Sequence, residues 1–278
     1  MTRNNGAGHQ NRRFRVALLD LDGTLYRGDN PISGADRFVA RLRARGIQPV
    51  FFTNNATSTP EQVCSRLRQF HVDCEPVEVC TSAQGAAHFI RARHGQVATG
   101  VVGEHGLLQA LVDEGLKPQY ADPAAADMNL LLKECQVAVL GLDRYCTYHS
   151  LAIFARLVDT LGEFVLTNGD VRLPVADGFN PGNGALGHLV ETATGVQPLV
   201  IGKPNPEFVR YALGRFNCPP DEALIVGDNL LTDIAAGNQA CVYSVQVQSG
   251  VQARDNDTAM GGFRPQADEQ VDSIDNLF

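Results

Sequence analysis

No stretch of this chain reaches the roughly 18 consecutive apolar residues of a membrane span, and residues 1–13 are polar, without the apolar core of a secretory signal. Tryptophan is absent and aromatic side chains make up only 7%, yet the apolar share of 44% and charged share of 19% are ordinary for a globular protein, so core size is not limiting. Basic side chains are the minority: 23 Lys and Arg against 31 Asp and Glu leave a formal charge of −8, which repels nucleic acid and anionic membrane surfaces at long range. The seven cysteines, Cys64, Cys74, Cys80, Cys135, Cys146, Cys218 and Cys241, form no Cys-x-x-Cys pair and have no histidine partner at zinc-ligand spacing. Reduced, mostly buried thiols in a cytoplasmic protein are therefore expected. There is no internal repeat, and the only low-complexity tract is Ala124 to Ala126.

What the chain does contain is alternation. Apolar runs at 16–19, 50–52, 97–102, 137–142, 164–166, 199–201, 224–226 and 241–247 are separated by helical patterns, which predicts an α/β fold with mainly parallel strands. Phe38, Val39 and Leu42 share one helical face over 35–45. Thr59-Pro60 and Pro206 each mark a helix start. At 278 residues two units, or one with an insertion, are expected: a flexible tail over 1–13, a catalytic core from 14–80 and 180–278, and an inserted cap over 81–179. Residues 271–278 are expected to return as an edge strand.

Four of the apolar runs end in polar groups, at Asp20, Thr53, Gly202-Lys203 and Gly227-Asp228. In a doubly wound sheet the carboxyl ends of the strands form the ligand crevice, so four such strands in one sheet would bring a nucleophile, a hydroxyl, a cation and a second carboxylate to one phosphate. Asp20-Leu21-Asp22-Gly23-Thr24 places two carboxylates two residues apart, one suited to attack phosphorus and the other to exchange protons with the leaving oxygen and with water. Taken alone, an Asp-Gly pair after a strand is more often a turn; the downstream groups change that balance. Thr53-Asn54-Asn55 offers a hydroxyl and amides for phosphoryl oxygens, although such a triplet is commonly a helix cap or turn. Lys203, between Gly202 and Pro204, suits a transferring phosphate and would separate crowded carboxylates; any single lysine is more commonly a solvated one. Asp228 is the candidate metal ligand. Asp233 either supports it by accepting amides and orienting metal-bound water or is a plain helix N-terminal charge. Oxygen-only ligands beside a phosphate favour Mg2+. Gly182-Asn183-Gly184-Ala185-Leu186-Gly187 fits the dinucleotide-binding spacing, but no apolar strand precedes it, so it is read as a glycine-rich helix entry.

These segments in this order resemble the haloacid dehalogenase (HAD) superfamily. More narrowly, Thr167-Asn168-Gly169-Asp170, Pro181-Gly182-Asn183-Gly184, Gly202-Lys203-Pro204 and Gly141-Leu142-Asp143-Arg144 resemble its NagD and p-nitrophenylphosphatase branch, over roughly residues 15 to 278. The resemblance implies a Rossmann-like doubly wound core with a large inserted α/β cap, and a phosphatase of small phosphomonoesters working through an aspartyl-phosphate. It implies Asp20 as nucleophile, Asp22 as acid/base, and Thr53, Asn54, Asn55 and Lys203 as the phosphate cradle. Magnesium would be held by the Asp20 carboxylate, the Asp22 carbonyl and the Asp228 carboxylate, with Asp233 in support. A homodimer through the cap is an assembly found among similar proteins; nucleic acid and membrane are not expected partners. Two departures stand out: Asn229 where the family commonly carries arginine, and Leu173 where some relatives carry a polar side chain, which argues against a pyridoxal-phosphate preference. A phosphotransferase or mutase would use the same Asp20 chemistry, whereas a non-catalytic ligand-binding protein would be expected to have lost Asp20, Asp22 or Lys203. The Gln246 to Gly250 strand end and the 251–264 segment are atypical of the family.

Overall fold

The computed structural model describes residues 13–121, 128–175, 178–248 and 264–278. The tail expected over 1–13 and the 251–264 segment lie, but for Arg13 and Arg264, outside the described residues. The chain divides into two compact units. The first comprises the chain through Thr53, Glu61–Cys80 and Lys203–Phe278; the second comprises Asn54–Pro60 and Thr81–Gly202.

The first unit is built on a six-stranded sheet in the order Glu269–Val271, Tyr243–Val247, Ala223–Gly227, Val16–Leu19, Gln48–Thr53, Val79–Thr81. The pairings along the first five strands are parallel. Val16–Leu19 is buried at all four positions because both faces of the sheet are covered. Ala17 and Leu19 pack with Phe51, Leu224 and Val226 against Phe38, Val39 and Leu42 of the helix Ala35–Ala44 and Val63, Cys64 and Leu67 of the helix Pro60–Gln69. Val16 and Leu18 pack on the other side with Phe52 and Ile225 against Phe208, Val209, Ala212 and Leu213 of the helix Pro206–Gly214. In the central register Leu19 lies opposite both Val226 and Phe51, so the three strands end within two residues of one another.

The second unit has its own five-stranded parallel sheet, ordered Leu199–Val200, Val165–Leu166, Val137–Leu140, Ala98–Val102, Lys117–Tyr120. The helices Ser82–His94 and His105–Asp113 cover one face, and Tyr148–Leu161 and Asn183–Thr194 the other. The glycine-rich segment opens the last of these helices, preceded by an exposed antiparallel hairpin, Arg172–Val175 with Gly178–Pro181. Asn183 is buried there, donating to Thr167 Oγ1 at 3.0 Å and the Asn168 carbonyl at 3.1 Å, which is a packing role.

Several sequence expectations need correction. The strand before Lys203, Leu199–Val200, pairs with Val165–Leu166 in the second sheet, so three and not four of the polar-ended strands share the first sheet. For the same reason the second unit runs on to Gly202 and does not end at 179. The C-terminal edge strand is Glu269–Val271, earlier than the expected 271–278, where a 3-10 turn forms at Ile274–Asn276. Cys64 and Cys74, expected as free thiols, are paired in a disulfide with Cα atoms 5.2 Å apart. The helix ending at Gln69 is followed by a reversal at His71, which has a positive φ of 61°, and this returns Cys74 to Cys64. Among the described residues no helix is long and apolar enough to cross a membrane.

Candidate active site

Leu19 ends a fully buried strand, and the next backbone amide, that of Asp20, still donates to the Val226 carbonyl at 2.9 Å. This bond fixes where the Asp20 side chain leaves the sheet. Only 8% of Asp20 is exposed, so its charge needs partners. Lys203 Nζ lies 2.6 Å from Asp20 Oδ1, and Thr24 Oγ1 donates to Asp20 Oδ2 at 3.2 Å. The same ammonium reaches Asp233 Oδ1 at 2.7 Å and the Phe52 carbonyl at 3.4 Å, and sits 5.5 Å from the centroid of the Phe52 ring.

The second acidic pair is delivered by the neighbouring strand. Ala223–Gly227 ends at Gly227, and Asp228 follows two residues past the partner of Leu19. The chain then enters a π-helical turn, Leu230–Ile234, in which the Ile234 amide bonds back to the Asn229 carbonyl at 3.3 Å. That turn aims Asp233 back at the strand end, where its Oδ2 accepts the Asn229 amide at 3.1 Å. Oxygens of Asp20, Asp228 and Asp233 all lie within 4.8 Å of one another. Two glycines make this crowding possible. A Cβ on Gly23, whose φ is +98°, would stand 2.4 Å from Asp228 Oδ2, and one on Gly227 would stand 2.3 Å from Asp233 Cγ.

Electrostatics follow from the crowding. Burial alone would push the Lys203 ammonium down, but the Asp20 and Asp233 carboxylates outweigh it and hold the group charged, above the ordinary lysine range. Burial, with Asp20 and Asp228 nearby, pushes the Asp233 carboxyl up, against the pull of Lys203. Three carboxylates against one lysine leave an excess of negative charge at the strand ends, and an all-oxygen donor set of this kind fits a hard divalent cation. Asp22 behaves differently from Asp20. It lies at the surface, in a bridge with Tyr26, and partial desolvation followed by the Asp20 charge pushes its carboxyl above the usual aspartate range, while the Gly28 amide, Arg66 and Arg27 pull it down.

The predicted residues thus fall into two groups. Asp20, Lys203, Asp228 and Asp233 come together, with Thr53 buried at the end of the adjacent strand Gln48–Thr53. Asn54 and Asn55 belong to the second unit and bond within it. The Asn54 backbone carbonyl accepts from Ser82 Oγ at 2.6 Å and Asn168 Nδ2 at 2.9 Å, the Asn54 side-chain Nδ2 donates to Asp170 Oδ2 at 3.1 Å, and Asn55 Oδ1 caps the Thr57 amide at 2.7 Å. Asn229, in place of the expected arginine, caps the π-turn by accepting the Leu231 amide at 2.8 Å. Thr24 received no role from the sequence, although its place four residues after Asp20 in a turn was a usable signal. Gln246, whose Nε2 donates to the Asp228 carbonyl at 3.2 Å, gave no such signal.

Residues 17–117 match the model of haloacid dehalogenase-like hydrolases, and residues 200–277 match a second HAD-hydrolase-like model. An acid sugar phosphatase of Staphylococcus epidermidis is 37% identical over 240 residues, spanning 86% of this chain and 88% of the relative. The chain belongs to the haloacid dehalogenase-like hydrolases. Among solved structures, a single mutant of the thermostable NPPase of Geobacillus stearothermophilus superposes on this hydrolase with a TM-score of 0.83 at 33% identity, over 96% of this chain and 98% of that one. The glycerol phosphate phosphatase of Mycobacterium tuberculosis, in complex with magnesium, gives 0.78 at 31% identity over 87% of this chain and 69% of that one. The α/β fold read from the alternation of strands and helices is therefore the HAD-like fold, and the resemblance to NagD and p-nitrophenylphosphatase-type enzymes stands.

Proposed function

We propose that this hydrolase is a magnesium-dependent phosphatase of small phosphomonoesters, with Asp20 as nucleophile. The observation that carries the reading is the buried Lys203, bonded at once to Asp20 and Asp233 at a strand end that also holds Asp228. A lysine so placed offsets charge on a transferring phosphoryl group. Thr24 and Lys203 each take one Asp20 oxygen, which fixes the rotamer from which attack occurs.

An Asp20 oxygen attacks phosphorus and the bond from phosphorus to the ester oxygen breaks, while Asp22, its carboxyl raised by desolvation and by Asp20, delivers a proton to the departing alcohol. Asp22 then takes a proton from water, whose oxygen attacks the aspartyl-phosphate; the bond to Asp20 breaks and inorganic phosphate leaves. Asp20, Asp228 and the Asp22 carbonyl are the residues proposed to hold magnesium, with Asp233 in support. When bound, the metal supplies charge neutralisation for the phosphoryl oxygens. Thr53, Asn54 and Asn55 remain the proposed phosphate contacts beside Lys203. The second unit takes the part of the cap that selects the ester. Relatives named for sugar and glycerol phosphates favour esters of small polyols. The cytoplasm is the proposed location; the Cys64–Cys74 disulfide, of a kind that persists in oxidising compartments, weighs against it.

The test is phosphate release from a panel of small esters, with magnesium and with chelator, by wild type and Asp20→Asn. Metal-dependent release that is lost in the variant is expected. Transfer of phosphate to added alcohol without net release would move the assignment to a phosphotransferase, and no turnover by folded, magnesium-loaded protein would overturn it.

A further inference from the structure

Asp22 sits at the foot of a very small hairpin, Tyr26–Arg27 paired antiparallel with Asn30–Pro31. The hairpin is tied to the nucleophile loop by backbone bonds, Gly23 N–H to the Tyr26 carbonyl at 2.7 Å and Tyr26 N–H to the Leu21 carbonyl at 3.1 Å. These two bonds flank Asp22, which bridges Tyr26, and the hairpin turns at a tip formed by Gly28 and Asp29. Two-residue strands cannot fix such a tip by themselves, and Gly28 and Asp29 are exposed. Something else must hold the hairpin that holds Asp22.

The helix Pro60–Gln69 supplies it. Arg66 Nη2 donates to the Gly28 carbonyl at 2.7 Å and to Asp29 Oδ1 at 3.2 Å, and its guanidinium lies 4.8 Å from the centroid of the Tyr26 ring. Phe70, one turn further on, packs its ring 5.5 Å from the same tyrosine. Arg66 therefore holds both the Gly28 carbonyl at the tip and the ring of Tyr26, the hairpin residue that bridges Asp22. A guanidinium that lies over an aromatic ring while one of its nitrogens bonds two oxygens is a task for arginine and not for lysine.

We propose that Arg66 is a positioning residue, fixing the hairpin so that the Tyr26 backbone holds Asp22 in place to present its carboxyl to the leaving-group oxygen. The inference rests on Asp22 serving as the proton donor of the proposed phosphatase. Loss of Arg66 releases the tip and leaves the nucleophile's own contacts with Thr24 and Lys203 intact. Both proton transfers of Asp22 are then impaired, but kcat/KM reports only the steps up to departure of the alcohol, whose protonation an alkyl ester needs and a p-nitrophenyl ester scarcely does.

The experiment compares kcat/KM for glycerol phosphate and p-nitrophenyl phosphate in wild type, Arg66→Ala, Arg66→Lys and Asp22→Asn, with melting temperatures measured alongside. Arg66→Ala should lose about tenfold or more on glycerol phosphate and less than about threefold on p-nitrophenyl phosphate, a small part of the roughly 10²–10⁴-fold worth of a general acid. Arg66→Lys, which keeps the charge but loses the stacked guanidinium, should fall between, and it carries the same comparison if the alanine variant does not fold. Equal losses on both esters, or none, would overturn the inference. Asp22→Asn should show the same selectivity more strongly; if it turns over glycerol phosphate as wild type does, the proton-donor reading fails, whatever the Arg66 variants do.

Discussion

Gly227→Ala tests the site's construction more sharply than removal of any charged group. A Cβ at this position would stand 2.3 Å from Asp233 Cγ and 2.4 Å from Asp233 Oδ2. Ordinary contact requires about 3.4 Å or more, so the carboxylate has to retreat by roughly 1 Å. It cannot do so and keep both of its bonds, to Lys203 Nζ at 2.7 Å and to the Asn229 amide at 3.1 Å. Asp233 and Lys203 side chains are only 2% and 3% exposed, so water does not replace what is lost. Breaking a buried pair costs about 3–5 kcal/mol and overpacking about 1–3 kcal/mol. The two overlap, because retreat relieves the clash by giving up the pair, and a net loss of about 3 kcal/mol is expected. In a chain of this size that lowers the melting midpoint by about 5 °C. Displacement of the group that holds Lys203 should also reduce phosphate release by roughly 10²-fold. The assay is thermal unfolding and phosphate release side by side, with Gly214→Ala as control: Gly214 has open space around it and a negative φ, and alanine there should be neutral or stabilise by about 0.5–1 kcal/mol. A Gly227→Ala protein that melts and turns over like wild type would refute the account of the site.

Glu78 is held by both Nη atoms of Arg43 at 2.7 Å, by Gln48 at 2.7 Å and by the Glu75 amide at 3.0 Å; burial pushes its carboxyl up, but these bonds prevail and hold it below the ordinary range. Below the ordinary glutamate value of about 4.3 the unfolded chain binds the extra proton first, so this stabilisation is present at neutral pH and is lost as pH falls through the folded value. Glu78→Gln should cost about 1–3 kcal/mol at pH 7 and progressively less below about pH 4 in urea titrations; a difference that does not change with pH would count against it. Without reductant, denatured protein should give five titratable thiols, Cys80, Cys135, Cys146, Cys218 and Cys241, and with reduction all seven. In the second unit, Thr147 caps the helix Tyr148–Leu161 through the Ser150 amide at 3.1 Å, and Thr147→Ala should lower stability by about 1 kcal/mol, measured by chemical unfolding, with Thr147→Ser close to wild type.

The central strands were legible because burial on both faces leaves an unbroken apolar run, and Val16–Leu19 has the predicted bounds. Asp20 and Asp228 were legible for a related reason: a carboxylate directly after such a run has nowhere to go but the crevice. Val79–Thr81 was missed since three residues after a 3-10 turn carry no periodicity. The sheet to which Leu199–Val200 belongs was misjudged because pairing is a non-local property, and a two-residue strand reveals only that it is extended. Lys203 was predicted from its neighbours in sequence, but its bond to Asp233 depends on a π-turn that no local pattern announced. The Cys64–Cys74 pair depended likewise on the reversal at His71.

The order of strands in the first sheet also sets a timetable for synthesis. Val16–Leu19 lies between Gln48–Thr53, made soon after it, and Ala223–Gly227, which the ribosome reaches roughly 200 residues later. At about 5–20 residues per second, the early half of the sheet waits some 10–40 s with one hydrogen-bonding edge unpaired. The second unit's long segment, Thr81–Gly202, is complete before that wait ends. Folding of the newborn chain therefore runs from the middle outward, and the strand that leads into Asp20, translated among the first, is among the last to be enclosed.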